Sequence, residues 1–272
     1  VDKKLGILIT HGIGTSDSSF ADKMIVNIKA EITKSGHNAD SVVFVPCAWD
    51  NVMKPKEEAL WEKINNNLQW VTARKFCVNA VADAMAYQET NNIHGGSYDQ
   101  IHDYIRNKLI ELRAMLGEDK PLVMISHSLG CHILSNYIWD REYGYYKEEY
   151  GGDNFLEMKT LIGFITYGCN IPLFVLEYDN IIAIDFPHRE CILKNLLPFA
   201  KWLNYYDKND VLGYPLKCLS ETYNKSVTED IEIGVGSVFT FWNPLSHMEY
   251  KNDKKFIKQI AIYLCELLKN IK

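Results

Sequence analysis

Three side chains spread along this sequence would together supply a nucleophile, a general base and an orienting acid. Ser128 stands in Ser126-His127-Ser128-Leu129-Gly130, directly after the apolar run Leu122-Val123-Met124-Ile125. A buried strand that ends in small-x-Ser-x-Gly and turns into a helix forms a sharp elbow, with the serine hydroxyl exposed for attack on a carbonyl. The flanking residues must be small because strand and helix approach closely there. The first of them is Ser126 rather than glycine, a departure of one short side chain. His247 closes Trp242-Asn243-Pro244-Leu245-Ser246-His247, behind the β-rich Ser237-Val238-Phe239-Thr240-Phe241. An imidazole placed there would take the serine proton and return it to a leaving group. Between them, Trp202-Leu203-Asn204-Tyr205-Tyr206 runs into Asp207, with Asp210 and Val211 following. Either carboxylate would fix the imidazole tautomer.

The elements needed to position these residues are legible. Leu5–Thr10, Ser41–Cys47, Leu122–Ile125, Leu161–Tyr167, Trp202–Tyr206 and Gly236–Phe241 read as strands. Helical periodicity places Phe20, Met24, Ile28 and Ile32 on one face of a helix from about Ser19 to Lys34. It does the same for Ile101, Ile105, Leu109 and Leu112 between Ser97 and Leu116, with Ser97 and Gln100 as a capping box and Gly117 as the stop. Leu129–Trp139 is a further helix, and Asp253–Lys269 buries Phe256, Ile260, Leu264 and Leu267. Strands alternating with helices predict an α/β fold, a mostly parallel sheet of about six strands covered on both faces. No repeat or linker divides residues 1–272, which read as a single domain.

Residues 50–96 exceed a minimal connection and are helical in pattern. Leu60, Ile64, Leu68 and Val71 share one face, Val78, Val81 and Met85 another. This insertion is either a cap over the site, with Trp61, Trp70 and Phe76 as substrate-binding walls, or a helical pair packed on the sheet edge. Arg141–Glu157, rich in Tyr, Gly and acidic residues, reads as a surface loop near the site mouth.

A net charge of −6 argues against nucleic acid or an anionic membrane surface as the main partner. No stretch approaches the roughly 18 apolar residues of a membrane span, and no cleavable apolar leader is visible. Seven cysteines show neither CxxC pairs nor a disulfide framework, which predicts reduced buried thiols in a cytoplasmic protein. Asp185 and His188 lie three apart, but without further ligands at suitable spacing neither a metal nor another cofactor is expected.

In His11-Gly12-Ile13-Gly14, Ser126-His127-Ser128-Leu129-Gly130, Asp207-Lys208-Asn209-Asp210-Val211 and Ser246-His247-Met248-Glu249-Tyr250, the chain resembles the α/β-hydrolase superfamily of serine hydrolases. The likeness is to its lipase- and esterase-like bacterial members. Tyr167-Gly168-Cys169-Asn170-Ile171-Pro172-Leu173 looks like the Gly-Ser-Pro-Leu segment after the sixth strand of such enzymes, with Cys-Asn-Ile in place of Ser. The resemblance implies a sheet shortened to begin at the family's third strand. The order Ser…Asp…His is the family's order. It implies hydrolysis of a small-molecule carboxylic ester through an acyl-enzyme, with backbone amides of Ile13 and Leu129 as the oxyanion hole. Asp210, followed by Val211, matches the family's acid, leaving Asp207 to cap the turn through an Asx-type bond. A thioesterase, lipase or acyltransferase would use the same residues, and a non-catalytic binding protein could keep the fold. His11 is expected to order the oxyanion loop, His127 and His132 to pack or form hydrogen bonds, and Asp50 and Asp83 to make structural hydrogen bonds.

Overall fold

The computed structural model describes residues 2–13, 18–64, 83–87, 95–143, 152–176, 178–235 and 247–271. Leu5–Thr10 (β1) is buried at every position, as a central parallel strand covered on both faces must be. Val42–Cys47 (β2), Leu122–His127 (β3), Leu161–Tyr167 (β4), Lys201–Tyr206 (β5) and Glu229–Glu232 (β6) complete one sheet. Its order is β2-β1-β3-β4-β5-β6, and every neighbouring pair is parallel. Helices among the described residues include Asp22–Lys34 (α1), Lys54–Ile64 (α2), Ser97–Leu116 (α3), Leu129–Tyr143 (α4), Ile171–Phe174 (α5), Glu221–Ser226 (α6) and Lys254–Asn270 (α7).

Alternate strand residues serve two cores. Ile7, Ile9, Val123 and Ile125 pack with Met24, Ile28 and Ile32 of α1 and Phe256, Ile260, Leu264 and Leu267 of α7. Leu8, Met124, Phe164 and Trp202 pack with Ile101, Ile105, Leu109 and Leu112 of α3 and Ile133, Leu134 and Tyr137 of α4. The chain leaves β1 toward β2 on one side, and β3 lies on the other side of β1. Beyond the carboxyl ends of β1 and β3 the sheet therefore has a switch point, where an open α/β sheet leaves a crevice for a ligand. His11–Ile13 and Ser128 both emerge there.

Several sequence expectations need correction. The Ser97–Gln100 capping box does not form: Gly96 is the N-cap, and Asp99 instead accepts the Gly95 N–H at 2.7 Å. Ser97 lies one residue inside the helix, so it and Gln100 are free to receive Lys56 Nζ of α2, at 3.1 and 3.2 Å. Leu60 and Ile64 face solvent, while α2 buries Trp61. The indole carries the larger apolar surface, and the helix turns to cover it. Met85 is likewise exposed. Leu68, Val71, Val78, Val81 and the strand expected at Gly236–Phe241 lie outside the described residues. The sixth strand here is β6, whose acidic Glu-Asp-Ile-Glu sequence carries no apolar run to announce it.

A buried polar network fastens the end of the insertion to the sheet-covering helices. Tyr87 Oη meets His102 Nε2 at 2.7 Å, His102 Nδ1 lies 3.1 Å from Asp140, and Tyr98 donates to the same carboxylate at 2.9 Å. Cys47, Cys131, Cys169, Cys191 and Cys265 are buried free thiols, and Cys218 is an exposed one. Among the described residues no helix is long and apolar enough to cross a membrane.

Candidate active site

Ser128, between the last residue of β3 and the first of α4, takes φ +53°. That left-handed backbone costs a residue with a Cβ about 1–2 kcal/mol. Two glycines make the turn possible. A Cβ on Gly12 would lie 2.5 Å from Ser128 Cβ, and one on Gly130 would lie 2.5 Å from the His11 carbonyl oxygen. The Ser128 amide donates to the Tyr167 carbonyl at 3.1 Å, so β4 braces the elbow from the side.

His247 precedes a 3-10 turn at Tyr250–Asn252 and then α7, whose first turn is capped by Asp253. Its Nε2 is 2.7 Å from Ser128 Oγ, and its Nδ1 is 3.0 and 2.9 Å from Asp210 Oδ1 and Oδ2. All three residues are buried. Burial alone pushes the Asp210 carboxyl up. The hydrogen bond and charge of His247, the Leu212 amide and the Tyr250 hydroxyl outweigh it, and together hold the carboxyl below its usual range. An ionised Asp210 places a proton on His247 Nδ1 and leaves the Nε2 lone pair facing the serine hydroxyl.

Of the two carboxylates weighed on sequence, Asp210 meets the imidazole. Asp207 turns away: Oδ1 accepts from Asn209 N and Nδ2 at 2.8 and 3.1 Å, and Oδ2 from Val235 N at 2.7 Å. Sequence reasoning missed Tyr250. Its hydroxyl donates to Asp210 Oδ2 at 2.9 Å and accepts the Asp207 backbone N–H at 2.8 Å, tying the Asp210 carboxylate to the end of β5. No local pattern marks a tyrosine for this task; only the three-residue step from His247 puts it within reach.

His127 both packs and forms a hydrogen bond. Burial, and next the neighbouring His247, hold its pKa well below the usual imidazole range. The neutral ring donates from Nε2 to the His247 carbonyl at 2.8 Å and lies against the Tyr167 and His247 rings. Its neutrality sets a pH dependence. The unfolded ring protonates near pH 6.5 and the native ring does not, so its contribution to stability is whole above that pH and declines below it. Burial holds Glu142 and Asp83 protonated, with pKa values raised to about 8 and about 9, and they oppose this trend in the whole protein. The variant difference isolates it. The stability gap between wild type and His127→Gln is expected to narrow by about 1.4 kcal/mol per pH unit below 6.5 in urea titrations. A gap constant from pH 7.5 to 5 excludes a neutral native His127.

Leu129 is the first residue of α4, where amides have no acceptor within the helix. Ile13 follows Gly12, which touches Ser128, and packs its side chain on the α3–α4 core. His132 stacks on Phe174 with ring centroids 4.2 Å apart. His188 Nδ1 accepts the Glu190 amide at 3.0 Å, and the Asp185 backbone N–H donates to Glu142 at 3.0 Å. Among the described residues no group of three His, Cys, Asp or Glu could hold a metal. A cavity of about 20 Å³ behind the site, lined by His11, His127, Met24 and Met248 among others, has room for one water. Trp61 is buried on α2 and does not line that cavity; Trp70, Phe76 and Gly14 lie outside the described residues.

No protein-family model matches the sequence, and no curated protein matches it. Among solved structures, a metagenome-derived lipolytic enzyme from work on LipS and LipT is similar over 98% of this chain and 95% of its own, at 11% identity and a TM-score of 0.39. So distant a likeness adds nothing about activity. The strand order, the all-parallel pairing and the strand–turn–helix at Ser128 are what define the architecture, and they make this chain an α/β-hydrolase fold.

Proposed function

We propose that this protein is a serine hydrolase that cleaves carboxylic esters through an acyl-enzyme. The observation that carries the reading is the continuous hydrogen-bonded chain from Asp210 through His247 to Ser128 at a strained elbow. Ser128 Oγ attacks the ester carbonyl as its proton passes to His247 Nε2. The carbonyl oxygen gains the negative charge and is held by the Ile13 and Leu129 amides. The tetrahedral intermediate collapses, and the C–O bond to the alcohol breaks. The alcohol leaves with the proton from His247. A water then repeats the sequence on the acyl-enzyme, releasing acid and free serine. Thioesters or lipid esters would use the same groups, since fold does not select among them. A non-catalytic binding role is disfavoured, because binding requires neither a strained serine nor a buried carboxylate held against an imidazole. The free buried thiols support a reducing compartment such as the cytoplasm.

A fluorophosphonate probe tests the reading: it should label wild type stoichiometrically at Ser128. A protein that stays unlabelled and turns over no member of an ester panel is not a serine hydrolase.

We further propose that the insertion caps the site, with Trp61, Trp70 and Phe76 against the acyl chain. A methylene in such a pocket is worth about 1–3 kcal/mol. Replacing at least one of the three by alanine should then shift relative kcat/KM between acyl chain lengths by about tenfold or more. Unchanged preferences with lowered melting points in all three variants would reduce these residues to packing.

A further inference from the structure

The described start of the oxyanion loop, His11–Ile13, lies in no helix or strand, yet it must hold one amide to a fraction of an ångström. Gly12 offers no side chain, so His11 is the handle by which the loop can be gripped. Its ring stacks on Trp49 at 5.4 Å, nearly parallel, and meets the edge of Phe20 at 4.7 Å. The Trp49 indole N–H donates to the His11 carbonyl at 2.8 Å. That same carbonyl occupies the space left by the missing Cβ of Gly130, beside the elbow. Both Trp49 and Asp50 are buried in the 3-10 turn that follows β2.

His11 Nε2 lies 3.1 Å from Asp50 Oδ1, so the buried Asp50 side chain abuts the edge of the ring opposite Gly12. The opposite nitrogen, Nδ1, donates to the Gly12 carbonyl. That carbonyl belongs to the peptide unit that carries the Ile13 N–H. In a planar trans peptide the two bonds point opposite ways, so a fixed Gly12 oxygen fixes the direction of the Ile13 amide.

We propose that Asp50 and Trp49 are positioning residues for the oxyanion hole, acting through His11 on the Gly12–Ile13 peptide. The inference rests on the serine-hydrolase reading and adds to it a cause for the loop's geometry. Both residues are buried, so their action on the site runs through His11. A small misplacement of a transition-state donor costs about 100-fold, and loss of one donor about 100- to 1,000-fold.

The test is Asp50→Ala, Asp50→Asn and Trp49→Phe, assayed on p-nitrophenyl acetate with a trifluoromethyl ketone as a reversible adduct-forming inhibitor. Asp50→Ala is expected to lower kcat about 10- to 100-fold with KM within about twofold of wild type. Ketone affinity should fall by the same factor, because the adduct carries the oxyanion. Asp50→Asn, which keeps an oxygen toward Nε2, should recover part of the loss. If Asp50→Ala does not fold, Trp49→Phe, which removes one N–H, decides with the same signature. Turnover within about twofold of wild type in the folded variants overturns the proposal, as does a fall in kcat without a fall in ketone affinity. A wild type that is neither labelled by fluorophosphonate nor active removes the hydrolase reading and this inference with it. An active wild type with insensitive variants removes only the inference.

Discussion

Ser128→Ala is expected to abolish ester hydrolysis, lowering kcat on the order of 10⁴-fold or more, while the melting point stays within a few degrees of wild type. On the proposed mechanism the change removes the attacking oxygen and leaves the Ile13 and Leu129 amides in place. What remains is the residual catalysis that such a site retains without its nucleophile. The hydroxyl bonded to His247 is lost, but alanine fits the space, so folding should survive. Steady-state kinetics on an activated short-chain ester, with a thermal melt of the same preparation, decide the matter. Near-wild-type turnover at an unchanged melting point would mean that the elbow serine is not the nucleophile.

Asp210→Asn should fall almost as far. An amide at this position can donate to Nδ1 and so favour the tautomer that carries its proton on Nε2, where it can no longer accept from Ser128. A change of this kind lowers kcat by about 10⁴-fold where an Asp–His–Ser chain operates. Asp207→Asn makes a contrasting control. Asp207 Oδ1 accepts from Asn209 and Oδ2 from the Val235 amide, so the variant should lose about 1–3 kcal/mol of stability with kcat nearly intact. Urea titration and kcat measured on both variants separate the roles. Stability loss at 210 and catalytic loss at 207 would exchange them.

The parts of the molecule legible from sequence are those with strong one-dimensional signals. β1, β3 and β4 are unbroken apolar runs because both their faces are covered, and α1, α3 and α7 keep a 3.6-residue stripe because each covers one face. Ser128 was legible because the elbow forces small residues around it. Asp210 and Asp207 follow the same strand, and only the family-like Val211 after Asp210 favoured it; the hydrogen bonds to His247 fall on Asp210. β6 was invisible because its acidic residues bond other segments rather than a core. Asp230, for one, accepts from the Leu216 and Lys217 amides and from Asn204. The orientation of α2 was misread because periodicity alone does not weigh one indole against two aliphatic side chains. Tyr250 and His127 act by touching a residue that itself acts, and such contacts exist only after folding.

The serine and the histidine that meet at 2.7 Å are 119 residues apart in the chain, and α7, which follows the histidine, packs on α1 near the beginning. Contacts that close such long loops form late and slowly. A nascent chain synthesised to residue 246 already holds Ser128 and Asp210 but lacks the imidazole between them. On the proposed serine-hydrolase mechanism such a chain should be inert on the ribosome, however well its sheet has formed. In refolding, recovery of turnover times the docking of α7 on α1 rather than the earlier collapse of the strands. Measured beside a spectroscopic signal from the sheet, it should lag behind it.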